Sequence, residues 1–223
     1  MKPVISADGS HTVWSSNFNA HYHSIFGAID ESKHVFIDAA LLFKLRSTSN
    51  TITILEYGLG TGLNLFLSFV SSIEYKNIDF YYQALEAYPI TPDILSQLNY
   101  CQIPEYSKFF KEFSKIHSSP WGAENRLSDN FKYVKHKIKF QDFPQNPVAD
   151  IVYYDAFSPG VQPELWEAEQ LHKVFYSMVP GAILTSYCAK GSFKRALKAV
   201  GFTIESLKGP AKKREMTRAM KPL

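Results

Sequence analysis

The sequence predicts an α/β protein: a mostly parallel sheet covered by helices, an antiparallel strand at the carboxyl end and a small N-terminal extension. Three observations predict it. From residue 51 onward, strand-like and helix-like segments alternate, the pattern of a parallel sheet with crossover helices. "TITILEY" (51–57), rich in β-branched residues and ended by glycines, and "DIVYYDAF" (150–157) read as strongly buried strands. The total of 223 residues suits one such domain with additions better than two.

The first fifty residues read as an extension packing on the core, and 51–223 as the main domain. Within the extension, "HVFIDAALLF" reads as a strand pair or a strand running into a helix. After 51–57, "GLNLFLSFVSSI" (62–73) carries the apolar stripe of a helix. "IDFYYQALEAY" (78–88) is the next strand. "TPDILSQLNY" opens a helix with Thr91 as N-cap and Pro92 at the first helical position. Residues 101–130 read as one or two helices and a loop containing Pro120, Trp121 and Gly122. "FKYVKHKIKF" (131–140) alternates as a strand. A helix over 163–179, a strand over 181–188 and a helix over 191–202 closed by Gly201 follow. "FTIESLK" and "REMTRAM" complete the chain as an antiparallel pair.

Composition narrows the function. Hydrophobic content of 45% and charged content of 20% are those of a folded domain. The 17 Phe and 13 Tyr mainly supply core volume. A net charge of +3 permits an anionic partner without requiring one, but "KGPAKKREMTRAMK" (208–221) gathers six Lys or Arg against one Glu. Cys101 and Cys188 are far apart, without disulfide or zinc spacing, and no metal ligand set is expected. The start of the chain lacks the apolar run of a signal peptide, and no stretch is long enough to span a membrane. A cytoplasmic location is expected.

Ligands on parallel sheets bind beyond the carboxyl ends of the strands. Glu56, Glu86 and Asp155 each fall at such an end, so three acids should converge on one rim. Gly58, Gly60 and Gly62 follow Glu56 in an E-x-G-x-G-x-G pattern. Glycines there permit a sharp turn into a helix and let a ligand press on bare backbone. The spacing differs from the dinucleotide pattern G-x-G-x-x-G, and a carboxylate ahead of the loop opposes a phosphate and favours a cation. S-adenosylmethionine, with a sulfonium and an amino group, fits that charge, and a nicotinamide oxidoreductase fits it poorly. Glu86, 24 residues beyond Gly62, stands where a carboxylate can accept bonds from two ribose hydroxyls. A plain tight turn and a solvated strand end are the alternative. In "DAFSPG" (155–160), Asp155 and a loop stiffened by Pro159, with Phe157 between them, have what amine methylation needs. A carboxylate can orient the amine lone pair and take its proton. Helix capping is the alternative for Asp155. "KKREM" is either a phosphate-binding stretch or a solvated tail. His21, His23 and His34 have no metal spacing, and Trp166 reads as core.

"LEYGLGTGLN", "LEAYP", "YDAFSPGVQPELW", "PGAILTSYCAKGSFKRALKAVGF" and "GPAKKREM" occur in order, with "SNFNAHYHS" and "DESKHVFI" ahead of them. In these segments, which run from about Asn17 to Met216, the chain resembles the methyltransferase domain of the bifunctional tRNA 5-methylaminomethyl-2-thiouridine biosynthesis enzymes. The resemblance implies a Rossmann-like methyltransferase that uses S-adenosyl-L-methionine to methylate the primary amine of 5-aminomethyl-2-thiouridine at the tRNA wobble position. Carried across, Asp155 is the catalytic aspartate. Glu56, Gly58, Gly60, Gly62 and Asn64 hold the methionine end of the cofactor, Glu86 takes the ribose, and Tyr22 and Glu31 close the pocket. Phe157, Pro159, Lys212, Lys213 and Arg214 lie on the substrate side, facing tRNA.

Two departures are visible. The sequence holds no counterpart of the oxidase domain that produces the amine in that family, so a stand-alone form served by a separate enzyme is expected. Where such proteins place an acid near the adenine, this sequence has Lys139, with Asp142 three residues later; either the loop is shifted and Asp142 serves, or adenine binding is altered. Methylation of another amine, on a small molecule or a protein, and a non-catalytic RNA-binding relative remain the alternatives.

Overall fold

A computed structural model describes residues 1–47 and 50–223. The extension expected over 1–50 therefore includes two positions, Thr48 and Ser49, outside the described residues. The chain opens with a small antiparallel sheet of β1 (Lys2–Ile5), β2 (His11–Ser15) and β3 (Ala20–His21). The helical run that follows corrects the expectation of strands at "HVFIDAALLF". Ala28–Ser32 is α-helical, Lys33–Leu42 continues as a wider π-helix, and Phe43–Leu45 ends it. Val35, Phe36, Ile37, Ala40, Leu41 and Leu45 are buried, so the apolar residues return at helical spacing and cover the sheet.

The main sheet contains β4 (Thr51–Tyr57), β5 (Asp79–Leu85), β6 (Glu124–Ser128), β7 (Phe131–His136), β8 (Ala149–Tyr154), β9 (Met178–Ser186), β10 (Thr203–Lys208) and β11 (Glu215–Met220). Their order is β10-β11-β9-β8-β4-β5-β7-β6. The five strands β9, β8, β4, β5 and β7 pair parallel. At one edge β11 inserts antiparallel between β9 and β10, as the sequence predicts for the last two strands. At the other edge β6 pairs antiparallel with β7. "ENRLS" is polar and half-exposed, so it offered no apolar alternation from which to read β6.

Two further elements depart from expectation. The helix expected from Thr91 spans only Pro92–Leu95, and Thr91 makes no side-chain capping bond. The chain leaves the helix to serve the N-terminal sheet: Asn99 Oδ1 accepts from the His11 N–H at 2.8 Å, and Asn99 Nδ2 donates to the Gly9 carbonyl at 2.8 Å. The helix expected over 163–179 is a 3₁₀ turn, Pro163–Trp166, and a helix, Ala168–Tyr176, divided at the extended Glu167. Bonds to the strand side hold the turn. The Tyr154 hydroxyl donates to the Leu165 carbonyl, and the Trp166 indole N–H donates to the Phe157 carbonyl at 2.8 Å.

One core lies on each face of the sheet. The first joins the helical run 28–45 to the helix Leu63–Ser72 and to Tyr82 and Tyr153, with the Phe36 and Tyr153 rings 5.1 Å apart. The second joins Trp166, Leu171, Phe193 and Leu197 to Leu55, Tyr57 and Tyr154. No helix among the described residues is long and apolar enough to cross a membrane.

Candidate active site

Strand order reverses between β4 and β8. The chain goes from β4 outward to β5 and β7, then returns to lay β8 on the other flank of β4. A crevice opens at the carboxyl ends of strands at such a point. Here it is a cavity of about 500 Å³. Gly58, Gly60, Glu86 and Asp155 line it from the sheet, Phe157 from the loop after β8, Tyr22 and Glu31 from the N-terminal segment, and Lys213 from the β10–β11 loop.

The glycine loop is shaped by protein atoms as well as by any ligand. At Gly58 φ is +105°, and a Cβ would stand 2.6 Å from the Asp155 carbonyl oxygen. Bare backbone at Gly58 therefore lets the ends of β4 and β8 close on each other, and the Asp155 N–H donates to the Tyr57 carbonyl at 3.0 Å. A Cβ at Gly60 would meet the Tyr22 ring at 2.9 Å. Gly62 caps the helix Leu63–Ser72 and does not line the cavity.

Behind this wall is a buried acid pair. Asn64 Nδ2 donates to Glu56 Oε1 at 3.0 Å and to Asp155 Oδ2 at 2.9 Å, so one amide joins both carboxyls. Glu56 is completely buried and does not line the cavity; Asn64 is 1% exposed. Asn64 Oδ1 has no hydrogen-bond partner, and the buried Tyr82 hydroxyl faces Glu56. Burial, and then the neighbouring Asp155 carboxylate, hold the Glu56 carboxyl well above the usual range. Burial, and then Glu31, push Asp155 up to about 7, against the pull of Asn64 and Lys213. The alternative of Asp155 as a helix cap has no support: its side chain bonds Asn64, and the turn at Pro163 has no side-chain cap.

Glu86 lines the cavity at 8% exposure. Its Oε2 accepts from the Gly60 N–H at 2.9 Å and its Oε1 from the Tyr88 N–H at 2.8 Å, which orients the carboxylate and leaves each oxygen a further lone pair. Tyr22, Phe18 and Phe157 form an aromatic wall, with Phe18 stacked on Phe157 at 4.5 Å and Tyr22 edge-on to it at 4.9 Å. Burial, and then Glu86, raise the Tyr22 phenol, so it stays protonated, and its hydroxyl has no partner.

Several expected residues lie off this cavity. Lys139 lines it, whereas Asp142 lies in an adjoining hollow of about 310 Å³ that also contacts Ala87, Tyr88 and Lys139. The wall therefore presents Lys139, Phe140 and Gln141 in place of the expected acid. Pro159, Lys212 and Arg214 do not line it; Lys212 sits 4.7 Å above the Phe26 ring. Trp166 is core, as expected. His23 is buried, with Nε2 2.7 Å from Thr61 Oγ1, and His34 Nε2 is 2.7 Å from the Lys208 carbonyl. Among the described residues no group of three His, Cys, Asp or Glu could hold a metal ion. Tyr187, which lines the cavity just past the end of β9, was not anticipated. The strand-end rule that located the three acids, applied to a fourth strand, finds it.

The site suits a cationic, hydroxyl-bearing ligand: the carboxyl-bearing residues Glu31, Glu86 and Asp155 line a cavity whose glycine loop follows an acid, and the Tyr22 hydroxyl of a lining residue lacks a partner. A pyrophosphate would meet Glu86 and Asp155. Comparison with known proteins agrees. Residues 103–222 match the family model described as S-adenosyl-L-methionine-dependent methyltransferase, which is more than half of the chain, and the chain belongs to that family. Its cofactor is S-adenosyl-L-methionine.

More particular relatives are the tRNA 5-methylaminomethyl-2-thiouridine biosynthesis bifunctional proteins. That of Leptospira interrogans serovar copenhageni is 26% identical over 91% of this chain and 32% of its own length. That of Actinobacillus pleuropneumoniae serotype 5b is 28% identical over 98% and 35%. The chain thus spans about a third of the length of these curated relatives. The crystal structure of MnmC2 from Aquifex aeolicus superposes with a TM-score of 0.78, covering all of this chain and 72% of that one at 24% identity, and shares the fold.

Proposed function

We propose that this protein methylates the aminomethyl group of 5-aminomethyl-2-thiouridine at the wobble position of tRNA, with a separate enzyme supplying the amine. The names of the relatives support this choice of substrate. The observation that carries it is Asp155, which lines the cavity at the end of β8 with its carboxyl held by Asn64; burial pushes that carboxyl up to about 7, a range suited to proton transfer at neutral pH.

When bound, S-adenosylmethionine supplies an electrophilic methyl group on a sulfonium. Glu86 is placed to take its ribose hydroxyls, and Gly58 and Gly60 to give it backbone. Glu56 acts from behind the wall, through Asn64. A primary ammonium has no lone pair, so it must lose one proton before it attacks; the product leaves as a secondary ammonium. Asp155 takes that single proton, and Asn64 holds the carboxyl in place for it. Phe157 and Tyr22 exclude water beside it. Lys212 and Arg214, exposed on the β10–β11 loop, meet the tRNA backbone.

The test is mass spectrometry of tRNA nucleosides from a strain lacking the gene. Accumulated aminomethyl-uridine is expected. Unchanged wobble nucleosides would rule the assignment out. Methylation of a different amine predicts the same chemistry with no change in tRNA.

A further inference from the structure

Lys213 differs from its basic neighbours. It lines the cavity with its side chain 40% exposed, and its Nζ is 2.5 Å from Glu31 Oε2 and 4.3 Å from the centroid of the Tyr187 ring. Both partners are fixed. Glu31 is 7% exposed, and its other oxygen accepts from the Ser24 N–H at 3.1 Å. The Tyr187 hydroxyl donates to the carbonyl of Ala156, the residue after Asp155, at 2.9 Å. An alkylammonium is thus gripped between a buried carboxylate and an aromatic face, beside the Asp155 backbone. A carboxylate paired with a ring face is the recognition chemistry of an ammonium group. A lysine serving phosphates gains nothing from being neutralised by a buried carboxylate.

We propose that Glu31 and the ring of Tyr187 form the subsite that receives the substrate's primary ammonium, and that Lys213 fills this subsite until the substrate displaces it. The inference rests on the reading of the substrate as an amine. It moves Glu31 from the cofactor to the substrate, and Lys213 from the tRNA backbone to a placeholder. It also accounts for selectivity: the subsite rejects neutral hydroxyl groups, and Asp155 next to it takes the proton once the ammonium is seated.

The experiment measures methyl transfer to tRNA bearing aminomethyl-uridine by the full chain and its variants, with S-adenosylmethionine affinity measured by calorimetry. In E31Q, which keeps an acceptor for Ser24, the KM for tRNA is expected to rise about tenfold with cofactor affinity unchanged. Y187L, which removes the ring face, should raise KM in the same way and serves if E31Q is poorly folded. K213M should lower KM, because the competing ammonium is gone. Weakened cofactor binding in E31Q, or a raised KM and shallower salt dependence in K213M, would overturn the proposal.

A second arm needs no tRNA. Butylammonium should bind K213M saturably in calorimetry and fail to bind K213M/E31Q. Binding of butylammonium by an enzyme that leaves aminomethyl-tRNA unmodified keeps the subsite and discards the nucleoside assignment. Transfer to tRNA with a KM indifferent to E31Q and Y187L keeps the assignment and discards the subsite.

Discussion

Among single residues, Asp155 is the proposed proton acceptor, and its titration is expected to set the pH behaviour. Burial and the Glu31 carboxylate raise it to about 7, so below that pH it is protonated and cannot accept a proton. Log kcat/KM should therefore fall by about one per pH unit below that value, and D155N should abolish the inflection together with most of the activity. A wild-type profile flat from weakly acidic to weakly alkaline pH would remove Asp155 from the chemistry. Gly58 makes a sterically simpler prediction. G58A places a methyl 2.6 Å from the Asp155 carbonyl oxygen at a φ of +105°. A cost of about 1–3 kcal/mol in urea unfolding is expected, with loss of cofactor binding by calorimetry. The acids and glycines were legible in the sequence because strand ends are where such sheets bind ligands. Which of them face the cavity was not. Asn64 bridges two acids eight and ninety-one residues away, and no spacing rule reports that partnership.

Among the elements, the parallel strands are legible in the sequence and the N-terminal segment is not. β4 has the predicted bounds, since an apolar β-branched run stopped by glycine has few other solutions. "HVFIDAALLF" supports either period, and only the packing of Phe36 and Leu41 against the sheet decides for helix. The N-terminal segment also clamps the glycine loop: His23 bonds Thr61, to which the Tyr100 hydroxyl also donates at 3.1 Å, and Tyr22 packs against Gly60. Burial holds His23 neutral, lowering it from 6.5 to about 4. The unfolded chain binds its proton first as pH falls, so the stability contributed by neutral His23 is present above pH 6.5 and is lost as pH falls through about 4. H23A should be about 1–3 kcal/mol less stable than wild type at pH 8, and the gap should narrow by pH 4. A gap that stays constant over that range would show that His23 does not titrate with folding.

At the scale of the whole molecule, the N-terminal helical run and the sheet share a core. F36A is expected to cost about 3–5 kcal/mol and to lower one cooperative transition. Two separated transitions would show that the extension folds apart from the domain. The fold also brings residues from both ends of the chain to one cavity, with Glu31 and Lys213 meeting across it. Sequence order hides this meeting and only the closed structure supplies it. In the proposed function a methyl group is transferred to the wobble amine, with Asp155 taking the proton. The most direct measurement incubates the purified chain and D155A with S-adenosylmethionine and tRNA bearing aminomethyl-uridine, then weighs the wobble nucleoside by mass spectrometry. The predicted result is the mass of one added methyl group with the wild-type chain and none with D155A, while D155A still binds the cofactor. An unmodified nucleoside with the wild-type chain, or full methylation by D155A, would contradict it.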